Sequence, residues 1–163
     1  MIEVELLGVR VEMPSNAPVV ALRELSGRRR TVSIFIGAPE ATAIALALEG
    51  VETPRPLTHD LFKDALETLG VHLDRVVVTE LRETTFYAEL HLTSMGETFV
   101  VSSRPSDAVA LAARTDCPIF VDEAVLAEAG VVEDLDDEVT DPDEVVEEFR
   151  QFIENINPDD FAS

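Results

Sequence analysis

TFVVSSRPSDAVALAAR, residues 98 to 114, changes its hydrophobic period halfway along. Phe99, Val100 and Val101 read as a short apolar strand, Ser102, Ser103 and Arg104 as a polar turn, and Pro105 as the opening of an Ala-rich helix. Proline suits a first helical position because the N–H it lacks would have no partner there. Ser106 and Asp107 then fall in the first turn, where free backbone N–H groups and the positive dipole end favour an anion. Arg104 adds a planar fork of donors matched to carboxylate or phosphate. The same residues also have a plainer use, since Asp107 complements the dipole and Ser106 caps, and caps are far commoner than sites.

The stretch has a counterpart upstream. Shifted by 65 residues, IFIGAPEATAIALA lies over FVVSSRPSDAVALA, so that AIALA (43 to 47) falls on AVALA (108 to 112). The hairpins that precede each stretch match with a slip of two more residues. An internal repeat of this kind predicts two β-β-β-α units, each followed by a further segment.

In the first unit, residues 3 to 12 alternate but slip phase. Keeping Val4, Leu6, Val9 and Val11 all inward requires one extra residue, which places a bulge at Leu7-Gly8. Residues 18 to 25 and 31 to 36 are the second and third strands, joined by a turn whose tip carries Arg28, Arg29 and Arg30. That triplet is either a phosphate-seeking patch or, more commonly, a solvated hairpin tip. Pro39 opens a helix over 40 to 49 that is apolar nearly all round and is therefore expected to be buried.

A Pro-containing linker (51 to 56) leads to Thr58, the expected N-cap of a helix over 59 to 69 that Gly70 ends. Its apolar stripe is Leu61, Phe62, Ala65, Leu66 and Leu69. The second unit follows with strands over 74 to 81, 86 to 92 and 98 to 101, and with His72 and His91 as structural or surface groups. Pro118 begins a strand over 119 to 121, and Asp122 caps a helix that Gly130 ends. Cys117, alone in the chain, reads as an inert, at least half-buried thiol.

The expected fold class is α+β: duplicated β-β-β-α units in a largely antiparallel sheet, packed with Ala-rich helices. Residues 1 to 135 form the domain, and residues 136 to 163 an acidic connector and an amphipathic helix. That last helix, over 143 to 155, spaces Val145, Phe149, Phe152 and Ile156 as a stripe. It either docks back on the domain or meets another chain, as a homodimer contact or through a protein partner.

The 163 residues, 46% of them hydrophobic, suffice for one domain with a core. No apolar run approaches the roughly 20 residues that span a bilayer, and Glu3, Glu5, Arg10 and Glu12 exclude a signal peptide. A cytoplasmic protein that makes no use of a membrane is expected. The net charge is −21, of which −6 belongs to residues 1 to 121 and −15 to residues 122 to 163. So acidic a chain argues against tight, non-specific binding to nucleic acid, although eleven of the twelve bases are Arg and leave room for a small anion site.

Three stretches carry a resemblance. SRPSDAVALAAR (103 to 114), IGAPEATAIALALEG (36 to 50) and RPLTHDL (55 to 61) resemble, in order and spacing, motifs of the bifunctional nuclease domain family. The match spans most of residues 1 to 135 and implies DNase and RNase activity. Relatives often have Asp where this chain has Ser102, so the resemblance carries no metal or proton role to that position.

If approximate two-fold symmetry relates the units, both Pro-started helices point their N-termini at one groove, where Glu40, His59, Asp60, Arg104, Ser106 and Asp107 converge. Hydrolysis of a phosphodiester needs an activated water, charge stabilisation and usually a metal. In that scheme Asp60, Asp107 and Glu40 hold Mg²⁺ or Mn²⁺, His59 orients or deprotonates water, and Arg104 clamps phosphate. Arg55, Thr58 and Ser106 complete the substrate contacts. The rival assignment makes Arg104, Asp107 and Asp60 an ion-pair lock between the units in a non-catalytic regulatory or protein-interaction module. A shared site requires His59 within about 12 Å of Arg104 and Asp107.

Overall fold

The computed structural model describes residues 1 to 132, and the connector beyond 132 and the helix expected over 143 to 155 lie outside them. Among the described residues, eight strands form one sheet accompanied by four helices, an α+β fold. The first unit comprises β1 (Ile2–Glu12), β2 (Ala17–Glu24), β3 (Arg30–Phe35) and α1 (Ala38–Leu48). After α2 (Thr58–Thr68) comes the second unit, with β4 (His72–Arg82), β5 (Thr85–Ser94), β6 (Glu97–Ser103) and α3 (Pro105–Thr115). β7 (Ile119–Val121), α4 (Glu123–Ala129) and β8 (Val131–Val132) complete it.

The sheet order is β6-β5-β4-β7-β1-β2-β3-β8. Each unit is an antiparallel meander running outward from the middle, and β7 is the seam between them. β7 pairs antiparallel with β1 and parallel with β4, so β1 and β4 run oppositely. A two-fold axis normal to the sheet demands this arrangement, and the duplication read from the sequence thus has its counterpart in the topology.

The bulge lies where the phase slip placed it. Leu6 pairs with Leu22 and Gly8 with Ala21, which leaves Leu7 as the extra residue. Gly8 accepts a φ of +138°, which a side chain would resist. The bulge keeps Leu6 and Val9 packed against the core, but Val11, opposite Pro18 near the hairpin loop, is exposed. The β5–β6 turn uses Met95 and Gly96, both at positive φ, as a tight hairpin connection requires.

Burial distinguishes the two Pro-started helices. α3 is the central one, with Val109, Ala110 and Leu111 essentially inaccessible beneath the sheet. α1, expected to be buried all round, buries Ala41, Ala43 and Ile44 but leaves Thr42 and Leu48 exposed, because no described element covers its outer face. α2 buries none of its residues; of its apolar stripe only Leu66 packs against the core, while Leu61, Phe62 and Leu69 are exposed.

The Arg triplet divides: Arg28 and Arg29 are exposed at the hairpin tip, whereas Arg30 is partly buried. Arg30 begins β3 and grips buried Glu24 of β2 at 2.7 Å and Glu123 of α4 at 3.0 Å. Arg29 reaches Glu5 at 3.2 Å. Val131 and Val132 add a short edge strand against Thr31 and Arg30. No helix among the described residues is long and apolar enough to cross a membrane.

Candidate functional site

Two polar turns meet as the repeat suggested. Ser102 and Ser103 belong to the end of β6 rather than to a turn, and Arg104 is the N-cap residue of α3. In α3 the residue order is Pro105, Ser106, Asp107, and in α1 it is Ala38, Pro39, Glu40. Asp107 and Glu40 are each the third residue of their helix, at equivalent places in the two units. The helix starts Ala38 and Pro105 lie 67 positions apart (105 less 38), so the spacing of 65 that aligned the Ala runs had set Pro105 against Glu40. The structure corrects that register.

Arg104 joins the two acids. Its Nε donates to Asp107 Oδ2 at 2.8 Å and its Nη2 to Glu40 Oε1 at 2.8 Å. Glu40 folds back on its own helix N-terminus over Gly37, where a Cβ would overlap the carboxylate. Its own backbone N–H, and then Arg104, hold the carboxyl below its usual range.

His59, the second residue of α2, completes the cluster with Nε2 at 2.8 Å from Asp107 Oδ1. Burial pushes the Asp107 carboxyl up, but the bonds from Arg104 and His59 outweigh it and leave the group below its ordinary value. An ionised carboxylate only accepts, so Nε2 carries the proton in this contact and Nδ1 is the ring nitrogen left able to take one. Three elements, α1, α2 and α3, thereby contribute Glu40, His59 and the Arg104–Asp107 pair to one place.

Asp60 does not join them. Neighbours on a helix diverge by about 100°, and Asp60 turns to the other side of α2, where Arg114 Nε donates to it at 2.7 Å. Arg114 and the Leu57 N–H lower its pKa. That second bond, at 3.0 Å, closes the start of α2, so Leu57 is the N-cap residue and Thr58 is already helical. Arg114 has a nearly inaccessible side chain and was not identified from the sequence; its signal was a spacing of seven residues from Asp107, two turns along one helix face.

Two hollows flank Arg104. One, of about 450 Å³, is lined by Thr58, His59, Phe62, Leu90, Val101, Arg104 and Asp107 among others. The second, of about 370 Å³, lies between the Gly37 turn and the Arg104–Ser106 turn, and Ser106 faces it. Arg55 lines neither and sits on the exposed linker. The metal set Asp60, Asp107 and Glu40 does not assemble, and among the described residues no three His, Cys, Asp or Glu gather as a metal site. The Cys117 thiol is half-buried and burial pushes its pKa up, in keeping with an inert group.

The bifunctional nuclease domain model matches residues 20 to 134. An uncharacterised protein of Mycobacterium tuberculosis is 48% identical over 165 residues, covering 99% of this chain and 98% of that protein. Bifunctional nuclease 1 of Oryza sativa subsp. japonica is 26% identical over 129 residues, 77% of this chain and 38% of its own length. Bifunctional nuclease 2 of Arabidopsis thaliana is 28% identical over 116 residues, 68% and 35% respectively. The chain spans little more than a third of these plant proteins.

Proposed function

The chain belongs to the bifunctional nuclease domain family, and on that premise we propose that it cleaves phosphodiester bonds in DNA or RNA at the His59–Asp107–Arg104 cluster. The observation that carries this reading is the 2.8 Å contact of His59 with an Asp107 that Arg104 also grips, at the mouth of a hollow. Asp107 fixes the tautomer and orientation of the imidazole. His59 takes the proton of the attacking hydroxyl, which is a water or, in RNA, the ribose 2′-hydroxyl, as a new P–O bond forms and the leaving P–O bond breaks, and the departing oxygen takes a proton from solvent. Arg104 Nη1, which makes no hydrogen bond among the described residues, donates to a phosphoryl oxygen and stabilises the developing charge.

As arranged, these residues do not fit a divalent cation. Arg104 already lies between Glu40 and Asp107, at 2.8 Å from each, and its positive charge stands where Mg²⁺ or Mn²⁺ would.

The test is cleavage of single-stranded and duplex DNA and RNA by the purified chain. His59→Ala and Asp107→Asn are expected to lower the rate by about 10²- to 10⁴-fold. Activity surviving both substitutions belongs to a contaminant and overturns the reading. Mn²⁺ and EDTA form a second arm: a rate that rises with the one and vanishes with the other would mean that Arg104 releases its two carboxylates to a cation. A non-catalytic interaction module is the second reading, favoured by the net charge of −21, which repels a polyanion.

A further inference from the structure

His59 and Phe62 are three residues apart on α2 and so share one face, one turn from each other. Phe62 is 44% exposed and Val101 of β6 equally so, and both line the larger hollow, whose remaining apolar wall is buried Leu90 and Leu111. An uncovered apolar wall therefore stands directly beside a guanidinium and an imidazole. A ligand that satisfies both has a flat apolar body joined to an anion, and a nucleobase next to its phosphate is such a ligand.

The charge of the chain sharpens the choice. With a net −21, long-range electrostatics oppose a polyanion, so affinity has to come from short-range contacts. Stacking of a base on an aromatic ring supplies these, about 1–3 kcal/mol per base. A base lies flat on Phe62, on the wall of the hollow, only when it has left its own stack, which a paired duplex resists.

We infer that the hollow beside Arg104 receives an unstacked nucleobase, with Phe62 as its stacking surface, and that the substrate is single-stranded nucleic acid. This rests on the nuclease reading for the chemistry, but its test does not depend on cleavage. Equilibrium binding of a fluorescent 2′-O-methyl phosphorothioate RNA octamer, which offers no 2′-hydroxyl for attack and resists attack by water, is measured single-stranded and annealed to its complement. The wild type is expected to prefer the single strand. Phe62→Leu, which keeps an apolar side chain and loses the ring, is expected to weaken that binding about 5- to 100-fold, and Phe62→Trp to retain it. Thermal melts of the variants show that each is folded.

Equal affinity for single strand and duplex, or a Phe62→Leu variant that binds like the wild type, overturns the inference. If the wild type binds the single strand through Phe62 but cleaves nothing, the nuclease reading fails and the base site stands. If it cleaves and Phe62→Leu changes nothing, the base site alone fails.

Discussion

Arg30 and Arg104 each grip two carboxylates, yet the clusters behave oppositely. Arg30 spends Nε and both terminal nitrogens on Glu24 and Glu123, and its side chain is 12% exposed against 4% for Glu24. Arg104 spends Nε and Nη2, keeps Nη1 free among the described residues, and is 64% exposed beside two hollows. The first cluster is saturated and closes a seam between β2, β3 and α4. The second is unsaturated and faces space. Residue types are the same in both, so it is leftover donors and adjoining volume that separate a lock from a site.

Four substitutions or conditions press on that contrast. Glu24→Ala leaves a guanidinium without its buried partner and an Arg30 N–H without its acceptor, and about 3–5 kcal/mol of stability should be lost in urea unfolding. A loss under about 1 kcal/mol would place this cluster among ordinary surface pairs.

Acid comes next. Glu24, Glu40, Asp60 and Asp107 all have lowered folded-state pKa values, so the stability they contribute is complete above the usual carboxylate range, about 4, and is lost as pH falls through their folded values. Melting temperature should hold from about pH 6 down to 5 and drop steeply below 4. A Glu24→Ala background should flatten that drop more than an Arg104→Ala background does.

Arg104→Ala itself should cost less than about 1 kcal/mol, since water screens so exposed a pair, while cleavage falls by about 10²-fold. Stability and activity falling together would make it a lock after all. Glu5→Gln, which loosens the half-exposed contacts to Arg23 and Arg29, should shift unfolding by only a few tenths of a kcal/mol.

Features set by neighbouring residues were legible beforehand. The bulge at Leu7-Gly8 followed from a phase slip, and α3 from Pro105 and its Ala run. The meeting of Glu40 with Arg104 and Asp107 was legible through repetition, because equivalent turns of a duplicated unit come to equivalent places. Contacts between distant residues of unlike segments left no local trace. Arg30 meets Glu123 across 93 positions, and Asp60 meets Arg114 across 54. Asp60 was assigned to the cluster with His59 as part of one helix start, and the helical turn between the two sends it to Arg114 instead. The exposure of Phe62 was equally hidden, since an apolar stripe has the same spacing whether it meets a core or a hollow.

The three-residue seam also governs the order in which the chain acquires its sheet. β1 leaves a ribosome before the other strands of this sheet, yet its inner edge pairs with Ile119 to Val121, which emerge more than a hundred residues later. Until then the two meanders share no strand, and each has a bare edge. Translation must therefore pass residue 121 before the halves share one sheet, so a nascent chain released earlier presents two open margins to quality control.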